Sequence, residues 1–330
     1  MNLLHDALFY EKCADKVKCM LCPHHCIISE GGYGLCRVRT NIGGTLKTIN
    51  YGEITSLGND PLEKKPLYHF KPGKNIISIG SFGCNFTCSF CQNYSISQYL
   101  PESEYMSPEG IIDIAAETRD NTGIAFTYNE PSIWYEYVYE TSKKLKETHK
   151  ELSVVLVTNG YIEKEPLEKL LPYVDAMNID LKSFNDEYYK KICGGDLKSV
   201  MNTIENAYGK CHIEITTLMV SGMNDSAKET GKIAYYLSQI NKNIPLHLSR
   251  YFPMYKMKNP PTSIETLQSA KETAQKYLNY VYIGNTSDED SNTYCPECGT
   301  LLVERHGYSV HTVLKEDKCP NCGCSINIVL

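Results

Sequence analysis

The chain has 330 residues, with 33 Lys and Arg against 39 Asp and Glu, a net charge of −6 and 22% charged residues. That balance provides no basic stripe for nucleic acid or for an anionic membrane surface, and the length allows one large core with small appendages. The first twelve residues carry His5, Asp6 and Glu11 and read as no signal peptide, and no later stretch reaches membrane-spanning length, so a cytoplasmic protein without a membrane partner is expected. The 15 cysteines are odd in number and mostly clustered, which argues for metal rather than a disulfide framework. Eleven fall into three clusters, leaving Cys13, Cys193, Cys211 and Cys324 as bystanders.

In the N-terminal segment, residues 1–70, Cys19, Cys22 and Cys26 are followed by glycines and then Cys36. Four thiolates suit tetrahedral zinc or an iron–sulfur cluster. A small segment needs a staple, which favours a structural metal such as zinc. His24 and His25 could replace a thiolate, although each reads more simply as a surface residue. Residues 45–57 read as a hairpin or edge strands. Pro61, Pro66 and Pro72 then mark a rigid connection.

From 71 to 286, apolar runs at 76–82, 124–127, 154–157, 176–181, 213–220, 246–251 and 281–283 alternate with helical patterns. The helices open at Ser107-Pro108, at Pro131, near Pro166, near Asn185, around Lys198, at Asp225 or Ser226 and at Ser263. Such alternation means parallel strands with helical crossovers, curved into a partial (β/α)6-type TIM-like barrel with its site at the carboxyl ends of the strands. Period-two reading puts Asn178, Asp180 and Lys182 on one face of the fourth run. His212, Glu214 and Thr216 share a face of the fifth, and His247 and Ser249 a face of the sixth. Polar inner faces predict a ligand cavity, with His212, Glu214, His247 and Arg250 as wall residues.

Straight after the first run come Cys84, Cys88 and Cys91, at Cys-x3-Cys-x2-Cys spacing. A 4Fe–4S cluster that only carries electrons usually takes four thiolates. With three, either the fourth ligand comes from far away or one iron is left open for chemistry, and the other clusters supply no obvious spare cysteine to close it. Residues 287–330 hold two knuckles, Cys295-x2-Cys298 and Cys319-x2-Cys322, each ending in glycine. They predict a zinc ribbon or a rubredoxin-like iron site, with hairpin strands at 300–303 and 308–314 between them. Glu297, Glu304, Glu316 and Asp317 deny the ribbon a basic face, which favours docking or stapling.

The three-cysteine loop, with Phe90 just before its last cysteine, resembles the radical S-adenosylmethionine (radical SAM) superfamily. Over nearly its full length the chain is similar to the AmmeMemoRadiSam-system enzymes of that superfamily, themselves relatives of pyruvate formate-lyase activating enzymes. The matching stretches are 19–26, 34–39, 61–69, 83–97, 128–135, 178–184, 191–195 and the terminal ribbon. The resemblance implies a 4Fe–4S cluster on Cys84, Cys88 and Cys91, with S-adenosylmethionine on the open iron. It implies reductive cleavage to a 5′-deoxyadenosyl radical that takes hydrogen from a substrate. Glu130 then aligns with the acidic position that meets the methionyl amino group, with Tyr128 and Asn129 where the superfamily has two glycines. Asn159 can meet a ribose or carboxylate, Asp180 and Lys182 match the cofactor-contacting Asp-x-Lys stretch, and Phe90 and Phe86 keep the cluster dry. Implied partners are a low-potential donor of flavodoxin or ferredoxin type and Memo-type and Ammecr-type proteins. The competing readings are an activase that makes a glycyl radical on another protein and a non-catalytic electron carrier.

Overall fold

A computed structural model of the chain describes residues 4–286 and 290–330. The boundary expected between 286 and 287 abuts residues 287–289, which lie outside the described residues, as do residues 1–3 of the N-terminal segment.

One sheet of eight strands organises the molecule. In chain order these are β1 (Ser56–Pro61), β2 (Asn75–Gly80), β3 (Asn121–Phe126) and β4 (Ser153–Thr158). They continue as β5 (Ala176–Asp180), β6 (His212–Met219), β7 (Leu246–Arg250) and β8 (Val281–Gly284). Spatial order follows chain order, with β1 and β8 at the two edges, so the barrel is partial. β1, which begins at the end of the 45–57 stretch read as a hairpin or edge strands and runs on to Pro61, pairs antiparallel with β2. All later pairings are parallel.

The crossovers carry α1 (Pro108–Glu117), α2 (Tyr135–Thr148), α3 (Lys164–Leu170), α4 (Leu197–Ala207), α5 (Ala227–Ile240) and α6 (Ile264–Ala274). The start signals act as expected. The side chains of Ser107, Ser226 and Ser263 each accept a hydrogen bond from the third helical N–H, an interaction worth about 1 kcal/mol per helix. Outward-facing strand residues, among them Ile77, Ile124, Leu156, Ile215 and Leu248, share one core with Val138, Ile204, Ile233 and Leu267 of the helices. Each such side chain contributes roughly 1.5–3 kcal/mol by leaving water. Among the described residues no helix is long and apolar enough to cross a membrane.

The inward face divides into two halves. At the amino ends of the strands, the proline-marked connection folds into the barrel as a plug. Leu62, Leu67 and Phe70 pack against Ile76, Ala125, Val155 and Ala176. Here the expected ligand cavity is corrected. Glu214 accepts hydrogen bonds from Tyr68 N (3.0 Å), His69 N (2.7 Å), His212 Nε2 (3.0 Å) and His247 Nε2 (2.6 Å). Asn178 Nδ2 donates to Pro66 O at 2.8 Å and its Oδ1 accepts from Thr216 at 2.9 Å. A buried polar group that is fully paired is architecture. Arg250, the fourth expected wall residue, donates from Nε to Thr262 O at 2.8 Å. Above the plug, Val157, Asp180 and Ser249 stay only half-buried, so the carboxyl half of the face remains open.

The terminal segment forms a three-stranded antiparallel sheet (Thr293–Tyr294, Leu301–His306, Ser309–Thr312) that covers the plug. Arg305 Nη2 donates to Tyr68 O at 2.6 Å, and Val329 N donates to His69 O at 2.8 Å. Docking is therefore this segment's structural role, as its lack of a basic face suggests.

Candidate functional site

The loop with Cys84, Cys88 and Cys91 leaves the end of β2 and is held from both sides. On one side, Gly83 has φ +84°, and a Cβ there would lie 2.5 Å from Val38 Cγ1 and 2.7 Å from Cys36 O. Only glycine lets the N-terminal segment come this close. On the other side, the helix expected near Asn185 is a single turn, Asp186–Tyr188, which widens into a π-helical turn, Tyr189–Cys193. π turns often sit at functional sites. This one offers Cys193 O to Thr87 N at 2.8 Å and Ile192 O to Ser89 N at 3.1 Å. A side chain at Gly195 would collide with Phe86, 2.3 Å from its Cε1.

Burial pushes the Cys84 thiol well above its ordinary pKa, and a hydrogen bond with Cys193, reinforced by burial, does the same for Cys88. Burial also raises Cys91. Metal binding displaces the protons of such thiols. Donors for the resulting thiolates are already in place. Phe86 N points at Cys84 Sγ (3.3 Å), Asn159 Nδ2 lies 3.6 Å from the same sulfur, and Cys91 Sγ lies 3.3 Å from Ser97 Oγ. Three thiols on one loop, with two N–H donors beside Cys84 and a hydroxyl beside Cys91, fit an iron–sulfur cluster. Cys193, which had read as a bystander, is fully buried beside Cys88. The only local hint was its place in the 191–195 stretch, because the contact with Cys88 is long-range.

Around the loop stand the residues from the strand ends. Phe90 is buried and stacks on Tyr188, with ring centroids 6.3 Å apart, while Phe86 packs on Tyr161. Lys182 Nζ lies 2.9 Å from Asp180 Oδ2 and 5.8 Å from the centroid of the Phe90 ring. Asn159 also donates to Asn85 Oδ1 at 2.9 Å. Asn129 accepts from Ser81 N at 3.0 Å and donates to Gly83 O at 3.2 Å, bracing the loop's entry. Glu130 is buried, and burial raises its carboxyl pKa. Its oxygens accept from Ser132 N (2.9 Å), Thr158 Oγ1 (2.7 Å) and Asn159 N (2.7 Å), so it ties the ends of β3 and β4 together.

The two other cysteine sets differ from each other in geometry. In the ribbon, the ligand atoms of Cys295, Cys298, Cys319 and Cys322 all lie within 4.8 Å of one another, a group that fits one metal ion. Cys295 to Cys322 and Cys298 to Cys319 are both 3.6 Å. Cys324 is no distant bystander, since its sulfur lies 3.2 Å from Cys295 Sγ. At the other end of the chain, Cys19, Cys22, Cys26 and Cys36 line one cavity with Leu21, Ile28 and Ile133. Neither histidine there is a free surface residue. His24 Nε2 donates to Asn85 O at 2.7 Å, and His25 pairs with Glu163 at 2.9 Å.

Fold and site together are a strand–helix barrel with a three-thiol loop at the carboxyl end of its first parallel strand. The profile described as Radical SAM superfamily matches residues 78–233, and the chain belongs to that superfamily: it is a radical SAM enzyme. It is 44% identical over 339 residues to the uncharacterized protein MJ0808 of Methanocaldococcus jannaschii, a match covering 99% of this chain and 100% of that one. A second protein of that organism, whose name places it among glycyl-radical enzyme activating enzymes, is 29% identical over 62% of this chain and 79% of its own. Among solved structures, Streptococcus suis SuiB bound to precursor peptide SuiA superposes with a TM-score of 0.51 at 14% identity, covering 68% of this chain and 51% of that one. That likeness concerns the fold alone. Family membership sets aside the reading as a non-catalytic electron carrier.

Proposed function

We propose that the enzyme holds its 4Fe–4S cluster on Cys84, Cys88 and Cys91 and binds S-adenosylmethionine above the loop. There it abstracts hydrogen from a substrate admitted to the open carboxyl half of the barrel. The observation that carries this reading is the three-thiol loop, with Cys88 buried, Cys84 and Cys91 half-buried and two N–H donors beside Cys84, at the same carboxyl end of the sheet as an inner surface left half-buried at Val157, Asp180 and Ser249. Cys84, Cys88 and Cys91 would hold a cluster whose chemistry is one-electron reduction of the sulfonium, with the electron drawn from a flavodoxin- or ferredoxin-type donor, so that S-adenosylmethionine would be cleaved to methionine and a 5′-deoxyadenosyl radical. The chain's own residues position the reactants and exclude water. Phe86 and Phe90 close the apolar side of the loop. Asn159 fixes the Cys84 sulfur and, with Asn129, meets the polar groups of the cofactor. The Asp180–Lys182 pair presents one charge of each sign to it. Glu130, buried and held by Ser132 N, Thr158 Oγ1 and Asn159 N, braces the Thr158–Asn159 turn from below, which argues against the direct contact with the cofactor's ammonium that the resemblance implied.

In this reading, residues 1–70 and 287–330 are metal-stapled appendages to a core at 71–286, with zinc or iron in the ribbon. The likeness to AmmeMemoRadiSam-system enzymes extends the proposal to Memo-type and Ammecr-type partners in the cytoplasm. Co-purification that recovers neither partner from cells expressing both counts against that extension. The main test is anaerobic reconstitution with dithionite and S-adenosylmethionine. Intact protein forms 5′-deoxyadenosine and Cys88→Ala does not; equal yields from the two would sink the idea. The relative named as an activating enzyme motivates a second reading, in which the hydrogen comes from a glycine of a partner protein. A glycyl-radical signal in electron paramagnetic resonance would select it, and its absence with candidate partners present would remove it.

A further inference from the structure

The ribbon quartet shows the spacing that four thiols need to hold a single metal ion. With zinc–sulfur bonds of about 2.3 Å, a tetrahedron brings its sulfurs to roughly 3.8 Å of one another. The ribbon quartet has that compactness, with pairs at 3.6 Å. Among the described residues it is the one group of three or more potential ligands whose atoms all lie within 4.8 Å. No three of Cys19, Cys22, Cys26 and Cys36 meet that limit, although all four line the same cavity. In this they are like Cys84, Cys88 and Cys91, which do not meet it either. A polynuclear cluster places thiolates on different irons and so holds them farther apart than one ion does.

The second observation comes from the cavity wall. Arg39 lines it and is 1% exposed, and its Nε has no hydrogen-bond partner. The rest of its guanidinium is anchored, to Glu136 Oε1 at 2.6 Å and to Leu8 O at 2.8 Å. A buried cationic N–H left unpaired is costly, and an anionic metal–thiolate centre in the cavity would offer it an acceptor. Leu35 N already points at Cys26 Sγ at 3.4 Å. The chain around the cavity turns back on itself, with Cys19 N donating to Cys26 O at 2.9 Å and His25 N to Cys22 O at 3.1 Å.

We propose that Cys19, Cys22, Cys26 and Cys36 hold a second, polynuclear iron–sulfur cluster rather than zinc. This replaces the expectation, drawn from segment size alone, of a zinc staple. The site abuts the radical loop. Cys36 O lies against Gly83, the residue before Cys84, and His24, two residues past Cys22, donates to Asn85 O at 2.7 Å. Only the importance of this adjacency rests on the proposed function; the identity of the metal does not.

The test uses the full chain carrying Cys84→Ala, Cys88→Ala and Cys91→Ala together, purified and reconstituted without oxygen. Iron, acid-labile sulfide and zinc are then counted per chain. The expected result is that iron and sulfide persist at about half the wild-type content or less, with a paramagnetic signal after dithionite and no more than about one mononuclear metal in the ribbon. Absence of sulfide together with two zinc ions per chain overturns the proposal. If the triple variant does not fold, the wild-type count decides. Iron and sulfide beyond one cubane support the second cluster, and the content of one cubane with two zinc ions refutes it. No outcome depends on S-adenosylmethionine cleavage, so failure of the proposed function and failure of this site are read separately.

Discussion

At the amino end of the barrel, Glu214 accepts hydrogen bonds from two histidines and two backbone N–H groups. At the carboxyl end, Asp180 pairs with Lys182 and stays half-buried, and Asn159 faces a thiol. Both ends line the same sheet, and in sequence both read as polar inner faces. They differ in satisfaction. Burial disfavours the Glu214 carboxylate, but hydrogen bonds from His212 and His247 outweigh it and hold the group well below its ordinary range. Behind it runs a continuous chain. Arg305 Nη1 donates to Thr293 Oγ1 (2.9 Å), whose hydroxyl lies 2.8 Å from Tyr282 Oη, which lies 2.6 Å from His69 Nε2. His69 Nδ1 donates to Asn327 O at 2.7 Å. Where every donor has its acceptor, polarity builds the protein. Where cysteines and amide groups face an opening, it is available for chemistry.

The sharpest break between the two ends is functional. Cys88→Ala removes a loop thiol, and 5′-deoxyadenosine formation falls to background while circular dichroism shows a folded chain. Retained cleavage would mean that the loop is not the site. Glu214→Ala has the opposite profile. It strands the donors of His212, His247, Tyr68 and His69, and breaking a buried network of this kind costs about 3–5 kcal/mol of stability, measurable by urea unfolding. Cleavage per folded molecule stays near wild type, and a selective loss of activity without destabilisation would contradict the division.

Acid tests the amino end through His69. Burial pushes His69 down to about 3, from an ordinary value of 6.5. Below pH 6.5 the unfolded chain therefore takes up a proton that the folded chain refuses, and stability falls as pH drops from 6.5 towards 3. Between pH 7 and pH 4.5 His69 alone accounts for a fall of about 2.5 kcal/mol, to which Glu214 begins to add its own loss near the lower limit. His69→Gln flattens that slope in urea titrations, and an unchanged slope would place the titrating group elsewhere. The smallest effect is expected for Asn159→Ala. It removes an N–H behind Cys84 and lowers S-adenosylmethionine cleavage about tenfold, the low end for groups behind a metal ligand. An undiminished rate would leave Asn159 with only its hydrogen bonds to Asn85 and Tyr161.

Much of this architecture was legible because its signals are local. Period-two apolar runs predicted each parallel strand to within a few residues, and Ser107, Ser226 and Ser263 announced their helices through hydrogen bonds made within one turn. The knuckles at Cys295 and Cys319 carry their geometry in their spacing. The plug was not legible. Residues 61–72 look like a proline-rich connection, and only the barrel's inner volume makes Leu62, Leu67 and Phe70 a core. Cys193 was missed for a similar reason: a π turn that forms in packing brings it beside Cys88.

The sequence by itself determined the class of protein, because the cysteine spacings and the strand–helix alternation are near-neighbour properties that any fold of this chain must respect. It also named the groups at the strand ends. The tertiary structure decided which polar residues are spent as architecture, which thiols share a cavity, and how widely those thiols stand apart. Desolvation and hydrogen bonding depend on partners that arrive from distant segments. The same glutamate could line a cavity or anchor a plug, and only Tyr68 and His69, folded against Glu214, settle which.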